Sequence, residues 1–410
     1  MKSLVSAYKC FPGVDSEAEV GWQWVNRLSE FHEIVVITRR PNLLENVHQL
    51  IKQKKNLRFA YYDLPKIFDF MRTGDLRHFI YYNLWQIGAF FNARKLVKKE
   101  KFDLVHHLVY VNTWQPTYMA FLGLPFIFGP IGENPKIPIK MIKYYGVRVL
   151  IREIINRLIK KVGRNINPIM RLIYKKANKI IVINNDVEKN ISKKFLHKTL
   201  VHPAIGVSLP NLEIDEADSF KNTFKIVYCG RFVHIKCPDL ALISFLNFAH
   251  KYPDVELTMV GGGRMERDLM SILKNNDNAY KVKLMGWIER KKVLDFLRKC
   301  DVFLFPTFEG GGMVILEAMS YGKPLICLDF GGSKEFLTDE CGIRIPVINR
   351  KQIINELSKA LDKLYNDNNL RLKLGRAARK RVEDYYTWDK KVEWMNNIYR
   401  EVVEARLVER

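Results

Sequence analysis

An α/β fold of two doubly wound, parallel-sheet domains is predicted by three features of the chain. Short apolar runs such as Val302 to Phe305 have the near-continuous hydrophobicity of strands covered on both faces. Amphipathic stretches alternate with such runs on both sides of an acidic segment at 209–222, the pattern of repeated βαβ units. Several runs end in glycine turns, and open α/β sheets receive ligands at the carboxyl ends of their strands. The 410 residues, 48% of them hydrophobic, suffice for two or three domains of roughly 100–200 residues, and two fit best. The first domain is expected to span 1–208, the linker 209–222 and the second domain 223–385.

The first half opens with an expected strand at 3–8 and a loop at 11–19 carrying Pro12, Gly13, Ser16 and Glu17. The run VGWQWVNRLSEFHEIVVITRR then reads as a helix followed by a second buried strand. A further strand at 102–107 ends in His106 and His107, at an edge where ligands bind. Either imidazole also suits a satisfied structural histidine. LPFIFGPIG at 124–132 sets glycines and Pro130 after another apolar run. In the second half, the strand at 224–229 runs into Gly230 and Arg231, with Lys236 five residues later. The strand at 255–260 meets Gly261, Gly262 and Gly263, and 282–287 ends in Gly286 and Trp287. Turn chemistry alone also explains the triple glycine, which is not a GxGxxG fingerprint.

The segment CDVFLFPTFEGGGMVILEAMSYGKP at 300–324 is where the chemistry is expected to rest. Its strand leads through a Pro-bounded turn into Gly310, Gly311 and Gly312, which let a ligand approach the backbone. The helix expected from about Met313 leaves its first N–H groups unpaired, a ready site for phosphate. Glu309 precedes the glycines and Glu317 lies about one turn inside the helix. Two carboxylates so placed suit sugar hydroxyls on either side of a diphosphate. The plainer reading is a tight turn, with a glutamate serving only the helix macrodipole.

These residues carry a resemblance. E-G-x-G-x-x-x-x-E before A-M-x-x-G-K-P resembles the Glu-x7-Glu signature of the retaining family 4 glycosyltransferases. The order strand, Gly230-Arg231, then Lys236 resembles the family segment whose Arg and Lys clamp the nucleotide diphosphate. A planar fork and a mobile point charge suit that task, although two solvated charges beside a turn would read the same way. The glycine turn at 261–263, the strand ending at Trp287, and Pro324 with Asp329, Gly331 and Gly332 complete five matches in one order over about 224–345. In the first half, SEAEVGWQW resembles a bacterial polysaccharide-type subgroup whose motif is GSEPGVGWNW, with Asp15, Ala18 and Glu19 standing where that pattern has Gly, Pro and Gly. The subgroup's D-x-V-H pattern falls on His106, and its L-G-x-P-F-x-W-G-P-x-G stretch on 124–132.

The resemblance implies the GT-B fold, two Rossmann-like domains facing a cleft, with a closing helix at 386–410 that crosses back to the first domain. It implies a sugar moved, with retention, from a UDP or GDP sugar to a growing, lipid-linked glycan. The catalytic residues would be Glu309, His106, Arg231 and Lys236. Donor contacts would come from Glu317, Gly311, Gly312, Met313, Gly230 and Gly13. No Asp-x-Asp sits at a strand end, so no cofactor and no obligatory metal are expected. Alternatives are a sucrose or trehalose synthase-like enzyme acting on a soluble sugar, and a catalytically silent scaffold that binds membranes or nucleic acid.

Charge supplies a further expectation. The net charge is +23, and 136–179 holds thirteen basic residues against Glu153 alone, interleaved with isoleucines and leucines. Such a stretch suits an anionic membrane surface, each cation contributing about 1 kcal/mol. It also suits a solvated basic helix. No nucleic-acid motif accompanies it, so nucleic acid is not an expected partner. The six cysteines are scattered and form no CxxC pair, as in a reduced compartment. No signal peptide is expected, and no apolar window approaches the roughly 20 residues needed to cross a bilayer. The expected location is the cytoplasm, peripherally bound to the inner face of the cell membrane.

Overall fold

The computed structural model describes residues 1–13, 16–41, 54–72, 74–211 and 223–408. Two compact units emerge, one of 1–133, 154–204 and 389–410, the other of 134–153 and 205–388.

The first unit holds a seven-stranded sheet of β1 (Lys2–Ala7), β2 (Glu33–Thr38), β3 (Leu57–Tyr61), β4 (Leu104–Val109), β5 (Phe126–Ile131), β6 (Lys179–Val182) and β7 (Thr199–Val201), in the order β3-β2-β1-β4-β5-β6-β7. The second holds β8 (Phe224–Cys229), β9 (Val255–Val260), β10 (Val282–Leu284), β11 (Val302–Phe305), β12 (Leu325–Leu328) and β13 (Gly342–Ile345), in the order β10-β9-β8-β11-β12-β13. Every ladder is parallel. The central strands are buried along their length, as their unbroken apolar runs require: β11 and β12 expose no residue, and neither does β4. Strand order reverses between β1 and β4 in one sheet and between β8 and β11 in the other. Each reversal opens a crevice at the carboxyl ends of its strands.

The boundaries differ from the expected ones. The segment 134–153, assigned from sequence to the first domain, groups with the second unit. The reason is packing: Ile137, Met141 and Ile142 are buried in the second unit's core, and the Tyr145 hydroxyl donates to Asp239 Oδ1 at 3.2 Å. Residues 212–222 of the expected linker lie outside the described residues. The closing helix, Trp388–Val408, contributes residues 389 onward to the first unit. There Tyr399 and Val402 are buried, and Arg27 pairs with Asp389 at 3.0 Å.

The helix Val147–Asn165 is inverted relative to an ordinary surface helix. None of its residues is buried. Val147, Ile151, Ile154, Ile155, Leu158 and Val162 stand exposed at spacings of three and four, one continuous apolar stripe facing outward. Its polar inward side includes Arg164, which donates to Thr113 Oγ1 at 2.9 Å, Asn190 Oδ1 at 2.6 Å and Glu133 Oε2 at 2.8 Å. Arg164 is therefore a structural tie within the first unit and not part of a free basic surface. No helix among the described residues is long and apolar enough to cross a membrane.

Candidate functional site

Neighbouring β8 and β11 deliver two loops to one crevice in the second unit. After β8 come Gly230 and Arg231, then a 3-10 turn, His234–Lys236. After β11 come Glu309, Gly310, Gly311 and Gly312, then the helix Met313–Ser320. Lys236 Nζ lies 2.8 Å from Glu309 Oε2 and 5.4 Å from the Phe305 ring centroid. Gly230 must be small here: a Cβ would come within 3.0 Å of both Lys236 Cδ and Phe305 Cε2. The Arg231 side chain is exposed and has no ion pair or hydrogen bond among the described residues. It is a cation held open to solvent on the same loop as Lys236.

The glycine loop is fastened from behind. Gly332 N–H donates to the Glu309 carbonyl at 2.8 Å. Gly331 sits at φ +54, where a Cβ would lie 2.1 Å from that carbonyl oxygen. The Asp329-x-Gly331-Gly332 element thus holds the Glu309 loop in place. Gly312, at φ 148, is the N-cap of the helix and supplies no side-chain cap. The backbone N–H groups at the start of this helix therefore keep donor capacity, with the positive end of the helix dipole behind them. Met313 is its first residue, and Gly311 lies just before the cap.

Glu317, one turn along, is buried, and Arg290 at the start of the helix Arg290–Lys299 forms an ion pair with it. Its negative charge also reaches the Cys229 thiol, whose pKa is pushed up to about 12, chiefly by burial and then by Glu317. The end of β8 and the glycine-loop helix are therefore electrostatic neighbours. Trp287 is exposed beside the 261–263 turn, and a Cβ on Gly262 would lie 2.9 Å from its indole Nε1. The structure thus brings together Gly230, Arg231, Lys236, Glu309, Gly311, Gly312, Met313 and Glu317, each expected from sequence. It adds two residues the sequence did not reveal: Arg290, and Asn134, whose Oδ1 accepts from Gly310 N–H at 3.2 Å. Neither lies in a periodic or motif context, so no local signal marked it.

Two expected residues belong to the first unit. His106 lies within β4 of the first unit, fully buried, with Nδ1 2.7 Å from the Tyr399 hydroxyl and Nε2 2.6 Å from the Gly129 carbonyl oxygen. Both ring nitrogens are occupied, and burial pushes its pKa down to about 4. His106 thus sits in a satisfied structural setting, its strand covered on both faces and the closing helix engaging one ring nitrogen. His107 is likewise buried, with Nδ1 3.1 Å from Ser6 Oγ. Gly13 keeps the expected turn, at φ +74, but its N–H already donates to Glu19 Oε2 at 2.9 Å. The carboxylate of Glu19, which stands where the subgroup's pattern has glycine, takes that N–H. Asp15 lies outside the described residues. Among the described residues, no three His, Cys, Asp or Glu side chains are grouped to hold a metal ion.

Comparison with known proteins agrees with this geometry. A GDP-mannose-dependent monoacylated alpha-(1-6)-phosphatidylinositol monomannoside mannosyltransferase of Corynebacterium glutamicum is 29% identical over 188 residues, 44% of this chain and 48% of that protein. The chain thus spans about half the length of that relative. A UDP-Gal:alpha-D-GlcNAc-diphosphoundecaprenol alpha-1,3-galactosyltransferase of Escherichia coli is 25% identical over 325 residues, 75% of this chain and 78% of that protein. In structure, a glycosyltransferase from Rickettsia africae superposes with a TM-score of 0.66 over 98% of both chains at 16% identity, a likeness of fold. The two all-parallel, Rossmann-like units are those of the GT-B class. Residues 212–381, the stretch carrying the second sheet and both loops of the crevice, match the model of the family glycosyl transferases group 1.

Proposed function

We propose that this protein is a retaining, metal-independent glycosyltransferase of the family 4 type, moving a sugar from a UDP or GDP sugar to a lipid-linked glycan in bacterial surface polysaccharide synthesis. One observation carries the reading: at the reversal point of the second sheet, an open cation, a paired cation and an uncapped helix start converge beside two carboxylates. Arg231, Lys236 and the N–H groups after Gly312 would stabilise the departing diphosphate, the electrostatic contribution that commonly dominates such steps. Glu317 would hold the ribose hydroxyls and Glu309 the donor sugar. Retention follows if the acceptor attacks from the face the phosphate leaves, its proton passing to a leaving-group oxygen. The UDP-sugar and GDP-sugar donors named for two relatives support a nucleotide-diphosphate donor, and their lipid-bearing acceptors support a lipid-linked one.

The outward apolar stripe of the helix Val147–Asn165, flanked by exposed Arg148 and Lys161, supports a peripheral seat on an anionic membrane at its cytoplasmic face. A thermal-shift screen against UDP, GDP, ADP and CMP tests the donor reading, since a ligand bound only by the folded state raises its stability. A rise in Tm with UDP or GDP is expected. No rise with any nucleotide would overturn it.

A further inference from the structure

The second sheet has a cavity at its opposite edge. Asp301 leads into β11 and Lys323 leads into β12, so the amino ends of these strands meet there, away from the crevice at their carboxyl ends. One face of the helix Asn368–Tyr385, bearing Arg371, Arg376 and Arg379, completes a cavity of about 280 Å³. Arg376 and Leu372 in its lining are exposed, so solvent reaches it.

The lining carries a surplus of positive charge: Lys323, Arg371, Arg376 and Arg379 stand against the single carboxylate of Asp301. Two of these cations are committed to the fold. Arg379 pairs with Glu383 at 3.0 Å and donates to the Ser320 carbonyl at 2.6 Å. Arg371 closes the preceding helix, Arg350–Asn366, by donating to the Leu364 and Tyr365 carbonyls, and no carboxylate pairs with it among the described residues. Asp301 Oδ2 accepts from the Lys225 N–H at 2.7 Å and takes no cation. Lys323 and Arg376 have no hydrogen bond or ion pair among the described residues.

The cavity also meets the far end of the helix Met313–Ser320. Tyr321, in the lining, is the C-cap of that helix, and Arg379 holds its last carbonyl. The Tyr321 phenol has its pKa pushed up by burial and then by the Glu317 charge, so the two ends feel each other. Gly312 begins the helix at the crevice, about 12 Å away along an eight-residue rise.

We infer that this cavity binds a small phosphate monoester and serves as an effector site for the crevice at the other end of the helix Met313–Ser320. A monoester carries nearly two negative charges at neutral pH and three acceptor oxygens. Those match the two unpartnered cations, Lys323 as a point charge and Arg376 as a planar fork. The Arg371 charge beside them adds to the attraction. A volume just below the usual range for drug-sized ligands restricts the site to a small one. The effector role rests on the nucleotide-donor reading, whereas binding at the cavity does not.

The test is a calorimetric titration of the full chain with glucose 6-phosphate, and with glucose as the uncharged control, after saturation with UDP or GDP to fill the crevice. The double variant Lys323→Gln with Arg376→Gln breaks no contact among the described residues, and an unchanged Tm shows that it is folded. Binding of glucose 6-phosphate but not of glucose, weakened about tenfold or more in the double variant, supports the site, as expected when charge-assisted contacts are lost. No binding, equal binding of glucose, or equal binding by the double variant overturns it. Nucleotide titrations with and without glucose 6-phosphate read the coupling: a change of about fivefold or more in wild type, absent from the double variant, supports the effector role, and no change overturns that role. Variant-sensitive phosphate binding in a chain that takes up neither UDP nor GDP would remove the donor reading and leave this site standing.

Discussion

Lys236 and Glu309 form an ion pair of 2.8 Å at the mouth of the second unit's crevice, both side chains largely buried. The cation assigned to the diphosphate is thereby engaged by the carboxylate assigned to the sugar. Under the proposed function a donor would displace that contact to reach Lys236, so Glu309 would compete with the diphosphate before binding and be freed for the sugar afterwards.

Glu309→Gln should consequently leave UDP or GDP affinity equal or tighter while lowering turnover by about 10²-fold, the usual loss when one preorganised electrostatic contact goes. Calorimetry and initial rates separate the two effects. Weakened nucleotide affinity together with normal turnover would contradict the competition.

Lys236→Ala and Arg231→Ala should each lower turnover by about 10²–10³-fold. Lys236→Arg should rescue only in part, because a planar fork cannot occupy the place of a point charge pressed against Phe305 and Gly230. Rates measured with EDTA should equal those without it.

His106 gives a prediction in pH. Burial lowers its folded pKa to about 4, against roughly 6.5 when unfolded, so between those values the unfolded chain binds the extra proton. Stability from this group is full above about pH 6.5 and falls as pH drops toward 4, by on the order of 3 kcal/mol. Urea midpoints of wild type should therefore decline across that window, and those of His106→Gln should decline less. Because both nitrogens serve Tyr399 and Gly129, the variant's turnover should stay within about tenfold of wild type at pH 7.5, a structural loss rather than the larger loss of a catalytic contact.

The exposed stripe predicts sedimentation with anionic vesicles, weakening as salt screens charge over about 8–10 Å at 0.1–0.15 M. Ile151→Glu with Leu158→Glu should abolish it without lowering Tm, since the two positions are 52% and 61% exposed. Arg164→Glu should instead lower Tm, because it breaks contacts to Thr113, Asn190 and Glu133. Undiminished sedimentation of the double variant would show that the stripe is not the membrane contact.

The strands and glycine loops were legible because their signals are local. An apolar run such as Val302–Phe305 can satisfy itself only in a buried parallel sheet, and Glu309 to Glu317 carries loop, cap and helix in one stretch. Contacts between distant residues were not legible. Arg290 on Glu317, Asn134 on Gly310 and Tyr145 on Asp239 depend on how separate elements pack, and the last two draw 134–153 into the second unit. The pattern around His106 was visible, but a strand covered on both faces leaves no side chain free at that position. Glu19 departs visibly from the motif, but its closure onto Gly13 depends on how the turn folds back over six residues.

The most direct measurement is donor-dependent release of UDP or GDP from a panel of sugar nucleotides, with extracted lipid-linked glycans as acceptor, in wild type and in Glu317→Ala. The account predicts release by wild type with at least one donor, dependent on acceptor, and a loss of about tenfold or more in nucleotide affinity and in release at limiting donor for Glu317→Ala, as expected when contacts worth about 1.4 kcal/mol or more are removed. Equal release and equal affinity in a folded Glu317→Ala protein, or no release by wild type from any UDP or GDP sugar, would contradict it.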